Sequence, residues 1–155
     1  MMKKLFIIFI LLFFSHYITA QKYTETYLKD ANKVGLEWWN NVNTGQYKAS
    51  YNMLSDILKN QATLDVWIYQ MTMLMEEYGD FEKRSVNESY FHSKLDGFED
   101  GFYVTVEYKV EYSKTKNHTE FLLLKQSDEF KWQVLDFNYT FQTKEEKKFI
   151  QQDSL

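Results

Sequence analysis

Apolar residues in the first part of the chain recur at every third or fourth position, a spacing that places them on one side of an α-helix. This pattern predicts a helix over about residues 24–42, followed by turn residues at 43–45. The spacing resumes at Tyr47 and predicts a shorter helix that ends near Leu54 or Leu58. The sequence therefore predicts two helices in succession.

A third helix has the clearest helical signal. Thr63 can accept a hydrogen bond from the first helical turn, and Gly79 can adopt the left-handed conformation that ends many helices. The apolar residues between them keep the helical spacing: Leu64, Trp67, Ile68, Met71, Leu74, Met75 and Tyr78. We therefore expect a helix between Thr63 and Gly79.

After Gly79 the apolar residues alternate with polar ones, and a period of two is typical of β-strands. The clearest alternation predicts a long strand with one apolar row, which consists of Phe102, Val104, Val106, Tyr108, Val110 and Tyr112. A weaker pattern over residues 81–92 predicts an earlier strand, with an exposed loop at 93–100. Residues 113–117 are expected to form the hairpin loop that follows the long strand.

Two more strands complete the predicted sheet. Residues 121–124 are apolar at every position, so they form a strand that is apolar on both faces and is expected in the middle of the sheet. In the last strand, residues 130–141, the apolar positions change parity at Val134 and Leu135, which predicts a β-bulge there. The tail from Thr143 onward is charged and is expected to fray.

This order of elements decides the fold class. Helices and strands do not alternate along the chain, which excludes a parallel α/β sheet. The sequence predicts an α+β fold in which N-terminal helices pack on a curved antiparallel sheet of about four strands. No repeat or linker divides residues 21–155, so they are expected to form a single domain.

The N-terminus has the pattern of a secretory signal peptide. Lys3 and Lys4 precede ten apolar residues at 5–14, and Ala20 provides a small residue for cleavage. The apolar run is too short for a membrane-spanning helix, which needs about twenty residues. We therefore expect residues 1–20 to be removed on export to the periplasm or the medium.

Charge and composition narrow the classes of partner. The whole chain has a net charge of −4, and loss of Lys3 and Lys4 with the signal peptide makes it −6. An acidic protein is not suited to a phosphate backbone, so no nucleic-acid partner is expected. The absence of cysteine excludes disulfides, a thiol nucleophile and a thiolate metal site. No membrane association is expected after signal removal.

Arg84 is the only arginine of the chain. Its planar guanidinium group suits a bidentate contact with a carboxylate. The first interpretation is an ion pair across the sheet with Glu120 or Glu107, which would help to set the strand register. The alternative is that Arg84 binds an anion at the mouth of the fold.

Aromatic residues make up 19% of the chain, enough to line a pocket for a flat apolar ligand. Trp38, Trp67, Trp132 and Tyr108 are the candidates, together with Arg84. Because aromatic residues at helical or strand spacing usually pack in the core, packing is the first interpretation of these side chains. Trp39 lies one position off the apolar stripe and is expected to be exposed.

Few residues could carry acid–base catalysis. Asp136 lies within an apolar strand, where burial would raise the pKa of its carboxyl group toward that of a general base. His92 and His118 are expected to be solvated in or beside loops. No metal site, cofactor or catalytic residue is expected beyond the weak candidate Asp136.

Scattered residues from Gly45 onward form a pattern that is similar to a known family. They are Gly45, Tyr47, Ser50, Tyr51, Trp67, Gly79, Arg84, Gly101, Tyr103, Tyr108, Glu120, Trp132 and Val134. Over about residues 25–140 the chain resembles the exported bacterial domain-of-unknown-function 4019 family. The resemblance implies a cystatin-like or nuclear transport factor 2-like cone of helices against a bent sheet. It implies no activity.

The chain departs from the pattern of that family at two places. The family tends to have a glycine and a tyrosine where this chain has Asp136 and Phe137, which removes the flexible turn residue. It also tends to have a tryptophan at the position of Tyr51. Any role of the family's glycine turn therefore does not transfer to this chain.

The leading functional hypothesis is a non-catalytic binding or interaction module that is not an enzyme. Its partner would be a small apolar ligand held in the cone, or a protein. A second hypothesis is a hydratase- or isomerase-like enzyme in which Asp136 acts with Tyr108. A third is a purely structural domain that forms a homodimer through the sheet.

Overall fold

Four helices precede four strands. The computed structural model describes the backbone of residues 2–144 and the side chains of residues 23–144. The elements are α1 (Met2–Asn43), α2 (Tyr47–Asn52), α3 (Asp56–Gln61), α4 (Leu64–Tyr78), β1 (Phe81–His92), β2 (Tyr103–Tyr112), β3 (Thr115–Gln126) and β4 (Trp132–Thr143). The strands form a curved, open antiparallel sheet in the order β1-β2-β3-β4, which confirms the α+β class.

Helix α1 is longer than the sequence pattern predicts. It ends at Asn43, close to the predicted end, but it begins at Met2 and not near residue 24. The predicted signal peptide, residues 1–20, falls on this first part of α1, and its side chains lie outside the described residues. Within the described part of the chain, no helix is long and apolar enough to cross a membrane. Most of the predicted charged tail, residues 145–155, also lies outside the described residues.

The predicted second helix is in fact two short helices, α2 and α3. Between them Leu54 forms a parallel bridge with Val134 of β4. The Val134 N–H donates to Met53 O at 3.0 Å, and the Ser55 N–H donates to Val134 O at 2.8 Å. The expectation of one helix was wrong because this segment pairs in extended form with the edge of β4, after which Ser55 caps α3 through the Leu58 N–H.

Helix α4 confirms the prediction at both ends. Thr63 Oγ1 accepts from the Val66 N–H at 3.4 Å, as an N-cap does. Gly79 has a φ of 78°, and its N–H donates to Met75 O at 2.9 Å. Because the chain turns sharply at Gly79, β1 starts close to the end of α4.

The hairpin between β2 and β3 is tighter than predicted. The expected loop, 113–117, is only the two residues Ser113 and Lys114, and β3 starts at Thr115. The segment 121–124 is the centre of this twelve-residue strand, which pairs on both sides as predicted. The exposed loop at 93–100 is also confirmed.

The predicted bulge in β4 is present. Leu123 pairs with Asp136, whereas the next residue, Leu124, pairs with Val134, so Leu135 is the extra residue. The extra residue shifts the alternation of apolar and polar positions by one. The apolar residues therefore lie on the helix-covered face both before and after the bulge. Val134 before it and Phe137 after it both pack in the core.

The sheet has one helix-covered face and one open face. The helix-covered face carries the buried row of β2, which consists of Val104, Val106, Tyr108, Val110 and Tyr112. On the open face Phe121 is 37% exposed, and among the described residues no helix packs over it. The β3 segment 121–124 therefore has one face against the helices and the other on the open face, because the helices all lie on one side of the sheet.

Candidate functional site

The helix-covered face contains a buried ion pair between Arg84 of β1 and Glu120 of β3. Arg84 Nη2 lies 2.7 Å from Glu120 Oε2, and Arg84 Nε donates to the same oxygen at 2.8 Å. The side chains are 4% and 0% exposed. The predicted pairing with Glu120 is confirmed. The other predicted partner, Glu107, accepts instead from Asn87 Nδ2 on the open face.

Tyr112 completes the polar contacts of this pair. Its Oη accepts from Arg84 Nη2 at 2.9 Å and lies 2.9 Å from Glu120 Oε1 and 3.0 Å from Asn43 Oδ1. A hydroxyl has one proton, so Tyr112 donates to one of these two oxygens at a time. Because Asn43 is the last residue of α1, this hydroxyl ties the end of that helix to the sheet.

Aromatic rings surround the guanidinium group of Arg84. Its Cζ lies 4.6 Å from the ring centroid of Trp39, 5.1 Å from that of Phe81 and 5.9 Å from that of Tyr108. Trp39 is 0% exposed, so the prediction of an exposed Trp39 was wrong. Helix α1 is covered on two sides, since Trp38 faces Trp67 of α4 while Trp39 faces the Arg84 side chain of β1.

His118 is buried beside this ion pair. Its ring stacks on Phe141 and meets Tyr78 edge-on, and its Nδ1 lies 2.9 Å from Thr115 Oγ1. Its Nε2 is 3.8 Å from Glu120 Oε1. The prediction of a solvated histidine was wrong because β3 begins earlier than expected and places His118 on the helix-covered face.

The same burial shifts the titration of these groups. Desolvation, aided by the positive charge of Arg84, lowers the pKa of His118 to about 4, so His118 is neutral at pH 7. Desolvation raises the pKa of Glu120, and Arg84 and Tyr112 oppose that rise. It also raises the pKa values of Tyr112 and Tyr108, so both phenols stay protonated.

We call Arg84, Tyr112, His118 and Glu120 the Arg84 cluster. Every charge in it is buried, and the ion pair is satisfied within the protein. A solute anion has no open approach to Arg84, whose side chain is only 4% exposed. The geometry therefore favours the structural interpretation of Arg84 over the anion-binding alternative.

The other predicted ligand-binding residues also lie in the interior. Trp38 is 0% exposed, Trp67 3%, Trp132 8% and Tyr108 0%. Trp67 Nε1 donates to Ser50 Oγ at 3.0 Å. All four belong to the buried cluster of the core, which supports their interpretation as core residues.

Asp136 and His92 are placed differently from the predictions. The Asp136 side chain is exposed on the open face, and its Oδ1 accepts from the Phe137 N–H at 2.8 Å. Tyr108 is on the helix-covered face, so these two side chains cannot act together on one substrate. The expected burial of Asp136 was wrong because the bulge at Leu135 turns it outward. His92 ends β1, half-buried, with Nε2 3.0 Å from Thr105 Oγ1.

A large opening in the described part of the chain lies between α4 and β4, and we call it the α4–β4 groove. It has a volume of about 840 Å³. Its α4 wall includes Tyr69, Met73, Glu76 and Glu77; Lys114 lies at one end, and Phe137 and Tyr139 of β4 form the opposite wall. The helical spacing does not predict this groove, although apolar residues off the buried stripe of α4, such as Tyr69 and Met73, are a visible signal in the sequence.

A smaller recess of about 240 Å³ lies on the open face of the sheet. Tyr90, Phe121, Leu123 and Asp136 are among the residues that line it. Among the described residues, no group of three or more histidine and acidic side chains is placed to hold a metal ion.

A family model described as "Protein of unknown function (DUF4019)" matches residues 34–137. The chain belongs to the DUF4019 family. The matched part of this DUF4019 protein starts in α1 and ends in β4, so it includes the whole Arg84 cluster and most of the α4–β4 groove, with Tyr139 two residues beyond it. No curated protein matches the chain.

Proposed function

We propose that this DUF4019 protein is an exported, non-catalytic binding module whose α4–β4 groove takes an apolar or amphipathic small molecule. The observation that carries the proposal is an open groove of about 840 Å³ whose lining combines apolar and aromatic side chains with the polar Gln70, Glu76, Glu77 and Lys114. Small-molecule sites typically enclose about 300–1,000 Å³ and place a few polar groups among apolar ones. The volume of the groove lies in this range, and its lining has polar groups among apolar and aromatic ones.

Exposed apolar side chains support this site. Tyr69 is 67% exposed and Met73 is 49% exposed, although both belong to a helix with a well-buried opposite stripe. An apolar ligand would remove these surfaces from water, at about 25 cal/mol for each Å² buried. The thioether of Met73 adapts its shape to different ligands.

The groove is next to a natural fluorescent reporter. Phe137 lines the groove, and its ring centroid lies 5.5 Å from that of Trp38, 6.4 Å from that of Trp39 and 5.7 Å from that of Trp67. A ligand that contacts Phe137 would change the surroundings of these three rings. Tryptophan emission should therefore report occupancy directly.

The test is titration with octanol and with a neutral apolar dye, followed by tryptophan emission and calorimetry. We expect saturable binding that Met73→Asp weakens about tenfold or more, because it places a charge in the apolar wall. Ile57→Asp is the matched control, since Ile57 is 47% exposed on α3 and lies outside the groove. Absence of saturable binding, or equal loss in both variants, would contradict the proposal.

Two further parts of the proposal concern export and catalysis. Export is supported by the basic, apolar and small-residue pattern of residues 1–20. N-terminal sequencing of the protein from the periplasm or the medium should start at Gln21. The non-catalytic role is supported by the separation of Asp136 from Tyr108 on opposite faces of the sheet.

A second candidate function is contact with a protein or a second copy through the open face. Tyr90 is 56% exposed and Phe121 is 37% exposed there, beside the smaller recess. Light scattering of the purified protein would reveal a dimer, and Phe121→Lys should dissociate it. A monomer at all concentrations tested would rule out the homodimer.

A further inference from the structure

The polarity of the α4–β4 groove changes along its length. Tyr69 and Met73 form the apolar part of the α4 wall, and Glu76 and Glu77 follow at the C-terminal end of the same helix. From Tyr69 to Glu77 the helix rises about 12 Å. An occupant that extends along this wall would therefore meet apolar side chains first and carboxylates at the other end.

The charge at this end is negative. Among the described residues, the carboxylates of Glu76 and Glu77 form no ion pair or hydrogen bond. Lys114 is the cation closest to this end of the lining, and its Nζ donates to the backbone oxygen of Glu76 at 2.8 Å. Its charge thus offsets the negative end of the α4 dipole and leaves the two carboxylates unneutralised.

We infer that the groove binds amphiphiles with a cationic amine head group, whose apolar part lies along Tyr69, Met73 and Phe137 and whose ammonium lies between Glu76 and Glu77. This inference rests on the proposed function. An ammonium is a hydrogen-bond donor without acceptors, and so it matches two carboxylates. A carboxylate head group would be repelled by both.

The test compares three probes with the same alkyl chain: octylamine, octanol and octanoate. Calorimetry and tryptophan emission should give an octylamine affinity about threefold to tenfold above that of octanol, with octanoate the weakest. This preference should shrink as salt is raised, because the carboxylates are exposed. The alcohol is the reference for the apolar contribution.

Variants assign the preference to the two carboxylates. Glu76→Gln/Glu77→Gln should abolish the preference for octylamine over octanol. Glu25→Gln/Glu37→Gln is the matched control, because it changes the net charge equally at exposed positions of α1. A preference that survives the first double variant, or that the control also removes, overturns the assignment.

The outcomes separate this inference from the proposed function. Equal binding of all three probes, or tighter binding of octanoate through Lys114, overturns the amine inference while the groove remains a ligand site. Binding of none of them overturns the groove as a ligand site and the inference with it. Circular dichroism confirms that each variant retains the fold.

Discussion

The Arg84 cluster and the α4–β4 groove reverse the usual placement of side chains. In the cluster, a full ion pair lies in the protein interior at 4% and 0% exposure. In the groove, Tyr69 and Met73 leave large apolar surfaces in water. Both placements cost free energy relative to the opposite arrangement, so each needs a reason.

The two regions differ in whether their groups find partners within the protein. Arg84 and Glu120 contact each other, and Tyr112 takes up a further hydrogen bond from Arg84. The exposed apolar surfaces of the groove have no such partner among the described residues. A satisfied buried charge indicates a structural role, whereas the exposed apolar side chains of the groove are the basis of the proposed ligand site.

The largest expected effect comes from breaking the buried pair. Glu120→Gln removes the negative charge and leaves Arg84 buried and unpaired, so we expect a loss of about 3–5 kcal/mol in the free energy of unfolding. Urea denaturation measures it. Lys83→Met is the control at the exposed pair with Glu111, where a change of about 1 kcal/mol or less is expected.

A double variant keeps this prediction testable if Glu120→Gln does not fold. Arg84→Met with Glu120→Leu replaces both charges by apolar groups and should be more stable than either single variant. Equal stability of Glu120→Gln and the wild type would show that the pair is not a structural element.

Acid should lower the free energy of unfolding, because it protonates His118 of the Arg84 cluster. Its pKa falls from 6.5 to about 4 on folding, so the unfolded chain binds the proton more readily than the folded one. The contribution of His118 to the free energy of unfolding is fully present above pH 6.5. It decreases as the pH falls to about 4, by about 3 kcal/mol in total. Urea denaturation across this range measures it. His118→Gln should flatten this part of the profile, and an unchanged profile would contradict the assignment.

A close contact between Gly35 of α1 and the sheet predicts a smaller effect. A Cβ on Gly35 would overlap Tyr108 Oη, so Gly35→Ala should lower the free energy of unfolding by about 1–3 kcal/mol despite the better helix propensity of alanine. Thermal denaturation measures the loss. Tyr108→Phe should rescue it, because Tyr108 Oη has no hydrogen-bond partner among the described residues.

Gly101→Ala is the control for this pair of variants. A Cβ there meets its nearest neighbours at 3.6 Å, an ordinary van der Waals distance, and a small change is expected. Failure of Tyr108→Phe to rescue Gly35→Ala would mean that the overlap is not with the phenol.

The smallest effect on stability is expected in the groove. Met73→Ala should change the free energy of unfolding by less than about 0.5 kcal/mol, because Met73 is already half exposed. The same variant should weaken octanol binding. A large loss of stability would instead identify Met73 as a core residue and remove the contrast between the two regions.

Periodic patterns predicted the parts of the fold that depend on neighbouring residues. The caps of α4 at Thr63 and Gly79 are local hydrogen bonds, and the bulge at Leu135 follows from the parity of the apolar residues. Residue type predicted a carboxylate partner for Arg84 and left Glu120 and Glu107 open, and the strand register decided for Glu120. The break at Leu54 was not, because its cause is a contact with Val134 that lies eighty residues further along the chain.

The sequence by itself determined the order of helices and strands and the residues that share a face, because the periods of 3.6 and 2 are properties of the backbone. Only the tertiary structure decided which faces are covered. Packing between elements that are distant in the sequence buried Trp39 and His118, left Asp136 exposed and formed the groove beside Met73. The physical reason is that burial depends on which distant elements pack together, and no local spacing encodes that packing.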